Sequence, residues 1–340
     1  MEHTTLTIRN TAELDAAAIG TAVAAGRQVL VQFDTLGEPE PLLPELDALA
    51  AIHGAALTIR IYGYDPSVFD TRILRALPHV ASLSIDCHRN ALYLETLGEL
   101  RHLKRLDLGV YELAQTDILQ LENLHALEYL QLGETAKNNI DLAPLRHYTR
   151  LSTLAIEGHA GHIDTLAGLP LLTQLSLYRM KNKVVLDFIG GVARLEQLRL
   201  QLGGRESIRE IDAPRLNKLE IIRVRGLAEL GDLGRFPLLR QLWLEDQIKL
   251  TQLDVSGNPL LERLHLLTCK GLERLDGLAV LRALHTLSVS ETRLDFDALL
   301  AGGLPAALTD MRFRTGKVKR DEEIAALLGK SVGRIRRAAP

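Results

Sequence analysis

Aromatic side chains are scarce in this sequence: they make up 4% of 340 residues, and only one of them is Trp. A hydrophobic core built from so few rings must be aliphatic. The two cysteines, Cys87 and Cys269, are too few for a disulfide framework. The sequence also has no apolar run of membrane-spanning length and no basic, apolar leader at its start. We therefore expect a protein of the reducing cytoplasm with no membrane contact.

Sequence motifs for catalysis are also missing. The chain has no phosphate-binding loop, nucleophile elbow, zinc-protease motif or paired Cys-x-x-Cys. His159 and His162 are close enough in sequence to share a metal ion, but no further ligand is evident near them. We therefore predict no enzyme activity, no catalytic residues, no cofactor, no metal and no small-molecule substrate.

The sequence also lacks a large excess of charge of either sign, because its formal net charge is only -3. So small a charge gives no reason to expect nucleic acid or an anionic membrane as the main partner. The charge is unevenly placed, however. Residues 311–340 contain nine Lys or Arg and three acidic residues, and such asymmetry can mark an interaction tail.

Leucine, in contrast, recurs in a regular pattern, L-x-x-L-x-L, of which twelve copies are found. The third apolar positions, 20 to 24 residues apart, are Ile61, Ile85, Leu108, Leu132, Ile156, Leu177, Leu200, Val224, Leu244, Leu266, Val289 and Phe313. The alternation at the end of each copy predicts a strand with its apolar side chains facing a core.

Upstream of these strands the apolar spacing changes to three, as in Leu121, Leu124 and Leu127. A spacing of three suits a short 3₁₀ segment. Each repeat is therefore predicted to be a strand, a turn and a short helical return. One such unit cannot bury its own apolar face, but a stack of them can.

This series resembles the leucine-rich-repeat family, and is most similar to its short-repeat class of internalin-like and phosphatase-regulator-like proteins, over roughly residues 56–316. The resemblance implies a bacterial source and an α/β fold. That fold is a curved, right-handed solenoid with a parallel sheet on its concave face and short 3₁₀ or α segments on its convex face. Members of the family are mostly binding proteins.

The sequence departs from the family at one position. The family usually places Asn three residues after the third apolar position, where it binds backbone groups of neighbouring repeats. None of the twelve copies has Asn there. We expect only Thr, Gln or Cys to replace it, as at Thr135, Gln247 and Cys269.

A repeat stack needs caps at both ends. We expect an N-terminal βα cap over residues 1–56, the solenoid over 57–316 and a basic helical cap over 317–340. In the first cap we predict strands at Leu6–Ile8 and Val29–Phe33. A helix-start signal at Asn10 and a helix over Pro44–His53 complete it.

The end of the chain allows two interpretations. One is a C-terminal cap with a helix at Arg320–Leu328 and a short second helix at Val332–Ala338. The other is a helix-turn-helix that would contact DNA phosphates. Its basic side chains would be Lys330, Arg334, Arg336 and Arg337.

Residues that alternate with the core leucines point to the opposite, concave face. The single Trp of the chain falls on this face, and Trp, Tyr and Arg are enriched in binding hot spots. The early repeats place Asp86, Asp107 and Glu157 there, so that half is acidic. The predicted binding residues of the later half are Tyr178, Arg199, Arg223, Arg225, Trp243, Glu245, Arg263 and His265.

The basic and aromatic character of these residues suits a partner protein with an acidic surface. We therefore expect a non-enzymatic protein–protein interaction module. A bacterial cytoplasmic inhibitor, such as an immunity protein that neutralises a toxin, fits because it needs only tight binding. The alternatives are a secreted effector that acts on a host protein and a regulator that contacts DNA through its C-terminal tail.

Overall fold

The leucine pattern predicts a strand in each of its twelve copies, and a computed structural model confirms a parallel strand in all of them. The structure describes residues 5–34, 40–63, 68–328 and 334–337. It divides into a first unit, residues 1–172, and a second unit, residues 173–340.

The first unit contains a parallel sheet with strands in the order β1, β2, β3, β5, β7, β8 and β9, and a small sheet of β4 and β6. The strands are β1 Leu6–Arg9, β2 Val29–Phe33, β3 Leu57–Gly63, β4 Phe69–Asp70, β5 Ser82–Cys87, β6 Ala91–Leu92, β7 Arg105–Val110, β8 Tyr129–Leu132 and β9 Thr153–Glu157. The α-helices are α1 Ala16–Ala24 and α2 Leu43–His53. The 3₁₀ segments are Glu40–Leu42, Gly54–Ala56, Thr71–Ala76, Leu94–Glu99, Ile118–Gln120, Glu122–Ala126, Ala143–His147 and Ile163–Gly168.

The second unit repeats this design with strands in the order β10, β11, β12, β13, β15, β17, β18 and β19, and a small sheet of β14 and β16. The strands are β10 Gln174–Tyr178, β11 Gln197–Gln201, β12 Lys218–Ile222, β13 Gln241–Glu245, β14 Gln252–Asp254, β15 Arg263–Leu267, β16 Arg274–Asp276, β17 Thr286–Ser290, β18 Asp310–Arg314 and β19 Arg334–Arg337. The α-helices are α3 Phe296–Ala301 and α4 Val318–Leu328, and the 3₁₀ segments are Asp187–Gly191, Leu233–Arg235 and Leu278–Val280.

The core of each unit lies between its large parallel sheet and the short helical segments. In β7, Leu106 and Leu108 are buried, whereas Arg105 and Asp107 on the other face are only partly covered. The same alternation recurs in β8, β11 and β13. This confirms the predicted division of each strand into core-facing and outward-facing residues.

The predicted register was wrong at one strand. With Val224 as its third apolar position, the L-x-x-L-x-L pattern places Leu219, Ile222 and Val224 on the core face, but β12 ends at Ile222. In the sheet, Leu219 pairs with Leu198 and Leu242, and Ile221 pairs with Leu200 and Leu244. The central outward residue of this repeat is therefore Glu220, not Arg223.

Three side chains replace the family asparagine, and one of them was not expected. Gln247 donates to the carbonyl oxygen of Ile221, and the Cys269 thiol lies 3.6 Å from that of Leu244. The unexpected one is His159, whose Nε2 lies 2.9 Å from the carbonyl oxygen of Gly133. Thr135 instead donates to a carbonyl of its own turn, at Asn138.

The N-terminal elements agree with prediction except for one helix boundary. Helix α1 begins after Asp15, whose carboxylate accepts a hydrogen bond from the amide of Ala18 at 2.9 Å. Asn10 is not a helix cap, because its side chain bonds to Asp34 instead. β2 pairs with β3, so the sheet runs through residue 57. The three-part domain division stays a prediction.

The C-terminal elements contradict the helix-turn-helix interpretation. Helix α4 is confirmed, but the helix predicted at Val332–Ala338 is wrong, because Arg334–Arg337 form strand β19. This strand pairs in parallel with β18, which adds one more strand to the repeat sheet. Lys330 lies outside the described residues.

Candidate partner-binding surface

The outward face of the second unit holds a row of central side chains, one per strand, that the sheet register places side by side. The row runs through Ser176, Arg199, Glu220, Trp243, His265, Ser288 and Arg312. Neighbouring strands of a sheet lie about 4.8 Å apart, so successive members of the row lie side by side. We call the part from Arg199 to His265, with the adjoining Tyr178, Glu245, Arg263 and Leu267, the Trp243 surface.

Trp243 occupies the middle of this surface and is held by two neighbours. Its ring centroid lies 4.5 Å from that of His265 on the next strand. Its indole Nε1 donates to a carboxylate oxygen of Glu245 at 3.0 Å. The indole is half-buried, so it is fixed in place while part of its ring remains open to solvent.

The imidazole of His265 is neutral near pH 7. Burial, followed by the positive charges of Arg312 and Arg263, lowers its pKa to about 4. An uncharged ring stacked on an indole presents a flat, weakly polar platform. Half-buried Ile222 and Leu267 extend this apolar area on the neighbouring strands.

Glu220 neutralises the cations at the other side of Trp243. Its carboxylate lies 2.7 Å from the guanidinium of Arg199 and 3.1 Å from the ammonium of Lys218. Burial opposes the charge on Arg199, but hydrogen bonds to Tyr178 and Glu220 outweigh it and raise the pKa of the guanidinium. Glu220 was not predicted from the sequence because of the register error at β12.

Two of the predicted binding residues do not lie on this surface. Arg223 follows the end of β12 with a positive φ of 53°, and its guanidinium lies 3.6 Å from Asp246. Arg225 is also beyond the strand, where its side chain is exposed and its amide bonds to the carbonyl oxygen of Gly203. The structure brings together the other six: Tyr178, Arg199, Trp243, Glu245, Arg263 and His265.

The first unit has a different feature on its outward face, a pocket of about 630 Å³. One of its lining residues is Asp107, whose carboxylate accepts a hydrogen bond from the hydroxyl of Ser84 at 3.2 Å. Burial, with a contribution from the nearby charge of Asp86, raises the pKa of Asp107 to about 6, although the Ser84 hydrogen bond opposes this shift. Asp86 itself lies 2.6 Å from the guanidinium of Arg60.

Two of the residues that line the pocket are glycines, which contribute backbone and no side chain. Gly109 and Gly133 occupy the same outward position in adjacent repeats, and a Cβ on Gly133 would lie 3.0 Å from the Cα of Gly109. On one side Arg105 lies over the ring of Tyr129, with 4.2 Å to the centroid, and the Tyr129 hydroxyl donates to Gln131. The acidic character of this half was predicted from the sequence, but the pocket was not. Glycine at the same outward position of two adjacent repeats is the sequence feature that could have indicated the pocket.

Metal-binding clusters and reactive thiols are two features that catalysis can use. Among them, no group of three or more His, Cys, Asp or Glu side chains is arranged to hold a metal ion. Burial raises the pKa of the Cys269 thiol to about 11, so this cysteine is protonated and a poor nucleophile near pH 7. In the described ranges no helix has the length and apolarity needed to cross a membrane.

Comparison with known proteins gives matches at the level of structure. No family model matches the sequence, and no curated protein matches it. The internalin InlF of Listeria monocytogenes aligns with 91% of this chain and 86% of its own, at 17% identity and a TM-score of 0.56. A chain of the mouse RP105/MD-1 complex aligns with 84% of this chain but only 55% of its own length, at 17% identity and a TM-score of 0.50. At these identities the likeness concerns the fold alone.

Proposed function

The chain has the leucine-rich-repeat fold, and we propose that it is a non-enzymatic module that binds a partner protein on its Trp243 surface. The observation that carries this proposal is the half-buried indole of Trp243, which stacks on a neutral His265 in the middle of the outward face. The indole is not required for packing of the hydrophobic core, because the core-facing residues of β13 are Leu242 and Leu244.

The arrangement has the features of a binding hot spot. A central apolar platform of Trp243, His265 and Leu267 is surrounded by charged groups that remain partly hydrated. Because Trp243 and His265 are already packed against each other, a partner would immobilise few side chains on this surface. Truncation of such an aromatic anchor removes about 2 kcal/mol or more of binding free energy.

We propose an acidic partner surface because of the cations beside the platform. The positive charges of Arg312 and Arg263 act on the imidazole of His265, and the Arg263 side chain is exposed. Arg312 is partly neutralised by Asp310, whose carboxylate lies 3.0 Å from its guanidinium. Arg199 is less available, since it pairs with Glu220. The sharper form of the proposal is a bacterial cytoplasmic inhibitor or immunity protein, since such a protein functions by occupying its partner with no chemical step.

Affinity capture tests the proposal. The purified protein is immobilised, incubated with a lysate of its source organism, and the captured proteins are identified by mass spectrometry. Trp243→Ala should bind the captured partner roughly 30-fold more weakly, the equivalent of about 2 kcal/mol. Ile248→Ala is the matched control, because Ile248 is an exposed apolar residue of the same unit that lies in a turn.

Equal capture by the wild type, Trp243→Ala and Ile248→Ala contradicts the proposed surface. Failure of the wild type to retain any protein reproducibly contradicts the proposed function as a whole. Charge reversal at Arg263 tests the acidic character of the partner. Arg263→Glu should weaken binding, whereas Arg274→Glu, on the small β14–β16 sheet, should not.

A further inference from the structure

The pocket of the first unit contains a carboxylate without a cationic partner. In the described part of the chain Asp107 forms no ion pair, and its hydrogen bond comes from the neutral hydroxyl of Ser84. The two guanidinium groups nearby are held elsewhere: Arg60 pairs with Asp86 at 2.6 Å, and Arg105 lies over Tyr129. A half-buried carboxylate that is held only by a neutral donor gains from a cation that enters beside it.

Space for such a cation exists next to Asp107. Gly109 and Gly133 line the pocket in the neighbouring outward row, where they present backbone and leave a gap in the row of side chains. Asp86 bounds this gap on one side and Glu157 on the other. Four of the described lining residues carry carboxylates (Asp86, Asp107, Glu134 and Glu157), and two carry guanidinium groups (Arg60 and Arg105), so the pocket favours a positive ligand.

The acceptors in the pocket lie in a row. The register places Ser84, Asp107 and Gln131 side by side on three strands, with the hydroxyl, carboxylate and amide oxygens on the outward face. Adjacent positions are about 4.8 Å apart. A guanidinium is planar and carries five N–H donors, so it can bond to a carboxylate through two of them and reach a flanking oxygen with another. An ammonium has three donors at one point and matches this row less well.

We propose that this pocket is a binding site for a guanidinium group, namely the arginine side chain of a peptide or protein, with Asp107 as its ion-pair partner. The aliphatic stem of the arginine would pass over Gly109 and Gly133. This site is separate from the Trp243 surface and does not depend on the function proposed for it.

The proposal is tested with the full-length protein and a short peptide probe, acetyl-Gly-Arg-Gly-amide. Titration is followed by the ¹³C signal of the Asp107 carboxyl carbon and by calorimetry. The matched probe contains citrulline, which has the shape of arginine without its charge. Saturable binding of the arginine peptide, at least tenfold tighter than that of the citrulline peptide, is expected.

Two variants locate the interaction. Asp107→Asn should lose this preference for arginine, whereas Asp164→Asn, which removes an exposed carboxylate in a 3₁₀ segment, should keep it. Gly109→Val fills the gap without a change in charge and should also weaken binding. Circular dichroism confirms that each variant is folded. Equal affinity of the wild type and Asp107→Asn, or no saturation within the solubility of the peptide, overturns the proposal.

The pH dependence gives a second readout. Only the deprotonated carboxylate pairs with a guanidinium, and with a pKa of about 6 roughly one tenth of Asp107 is deprotonated at pH 5. Binding at pH 5 should therefore be about tenfold weaker than at pH 8. Arg60, Asp86, Glu134, Glu157 and His88 also line the pocket. A pH dependence that persists in Asp107→Asn belongs to those groups and contradicts the role of Asp107.

Discussion

Replacement of Asp107 by Asn should stabilise the protein, and the gain should depend on pH. The structure raises the pKa of Asp107 from 3.8 to about 6, chiefly through burial. At pH values between the unfolded and the folded pKa, a group whose pKa is raised on folding binds more protons in the folded state than in the unfolded state. Ionisation of Asp107 therefore reduces stability progressively from about pH 4 to pH 6, and the full penalty remains above that range.

The magnitude follows from the shift. One pKa unit corresponds to about 1.4 kcal/mol, so a shift of roughly two units gives up to about 3 kcal/mol at pH 7.5 and about 1 kcal/mol at pH 4.5. Because Asp107 remains partly exposed to solvent, we expect the stabilisation at each pH to be smaller than these upper values. Asn is close in shape and can still accept the hydrogen bond from Ser84.

Urea unfolding of the wild type and Asp107→Asn at pH 4.5 and pH 7.5 measures the effect. The variant should be more stable than the wild type at both pH values, and its advantage should be larger at pH 7.5 by about 1–2 kcal/mol. Asp164→Asn is again the control, with little change at either pH. An equal advantage at both values, or a loss of stability at pH 7.5, refutes the reasoning about Asp107.

Three further predictions concern the second unit. Arg205 is buried, pairs with Glu210 and donates to the carbonyl oxygen of Val184 at 3.0 Å. Arg205→Ala should therefore lower the free energy of unfolding, measured in urea, by about 3 kcal/mol, because it leaves the Glu210 carboxylate without its cation. Asn258 is buried and donates to two backbone carbonyls, at 2.9 and 3.1 Å. Asn258→Leu should therefore cost about 2 kcal/mol by the same assay. His265 is neutral above about pH 4, so the ratio of partner affinities between the wild type and His265→Gln should stay constant from pH 5.5 to pH 8.

Most of the fold could be predicted from the sequence because each repeat carries its own signal. The alternation of apolar and polar residues marks the strands, and the apolar spacing of three marks the 3₁₀ segments. β12 could not be assigned in this way. Apolar residues at 216, 219, 221, 222 and 224 satisfy the pattern in two registers. Only pairing with Leu198 and Leu242 selects one of them, and the wrong choice moved Arg223 onto the surface in place of Glu220.

The helix prediction at the end of the chain was wrong for a related reason. The run from Arg334 to Arg337 has one apolar residue among basic ones, which fits a helix and a strand equally well. Its neighbour β18 supplies backbone donors and acceptors at an open sheet edge, and this tertiary pairing decides the outcome. The first-unit pocket was not predicted because it depends on residues from repeats more than twenty positions apart.

The central claim is that a partner protein contacts the Trp243 surface, and photocrosslinking tests it most directly. A photoreactive benzoylphenylalanine replaces Leu267, beside Trp243 and His265, or Val280, an exposed apolar residue in a 3₁₀ segment of the same unit. After irradiation in cells of the source organism, the account predicts a covalent adduct with one protein from position 267 and none from position 280. The same adducts from both positions, or an adduct from position 280 alone, contradict it.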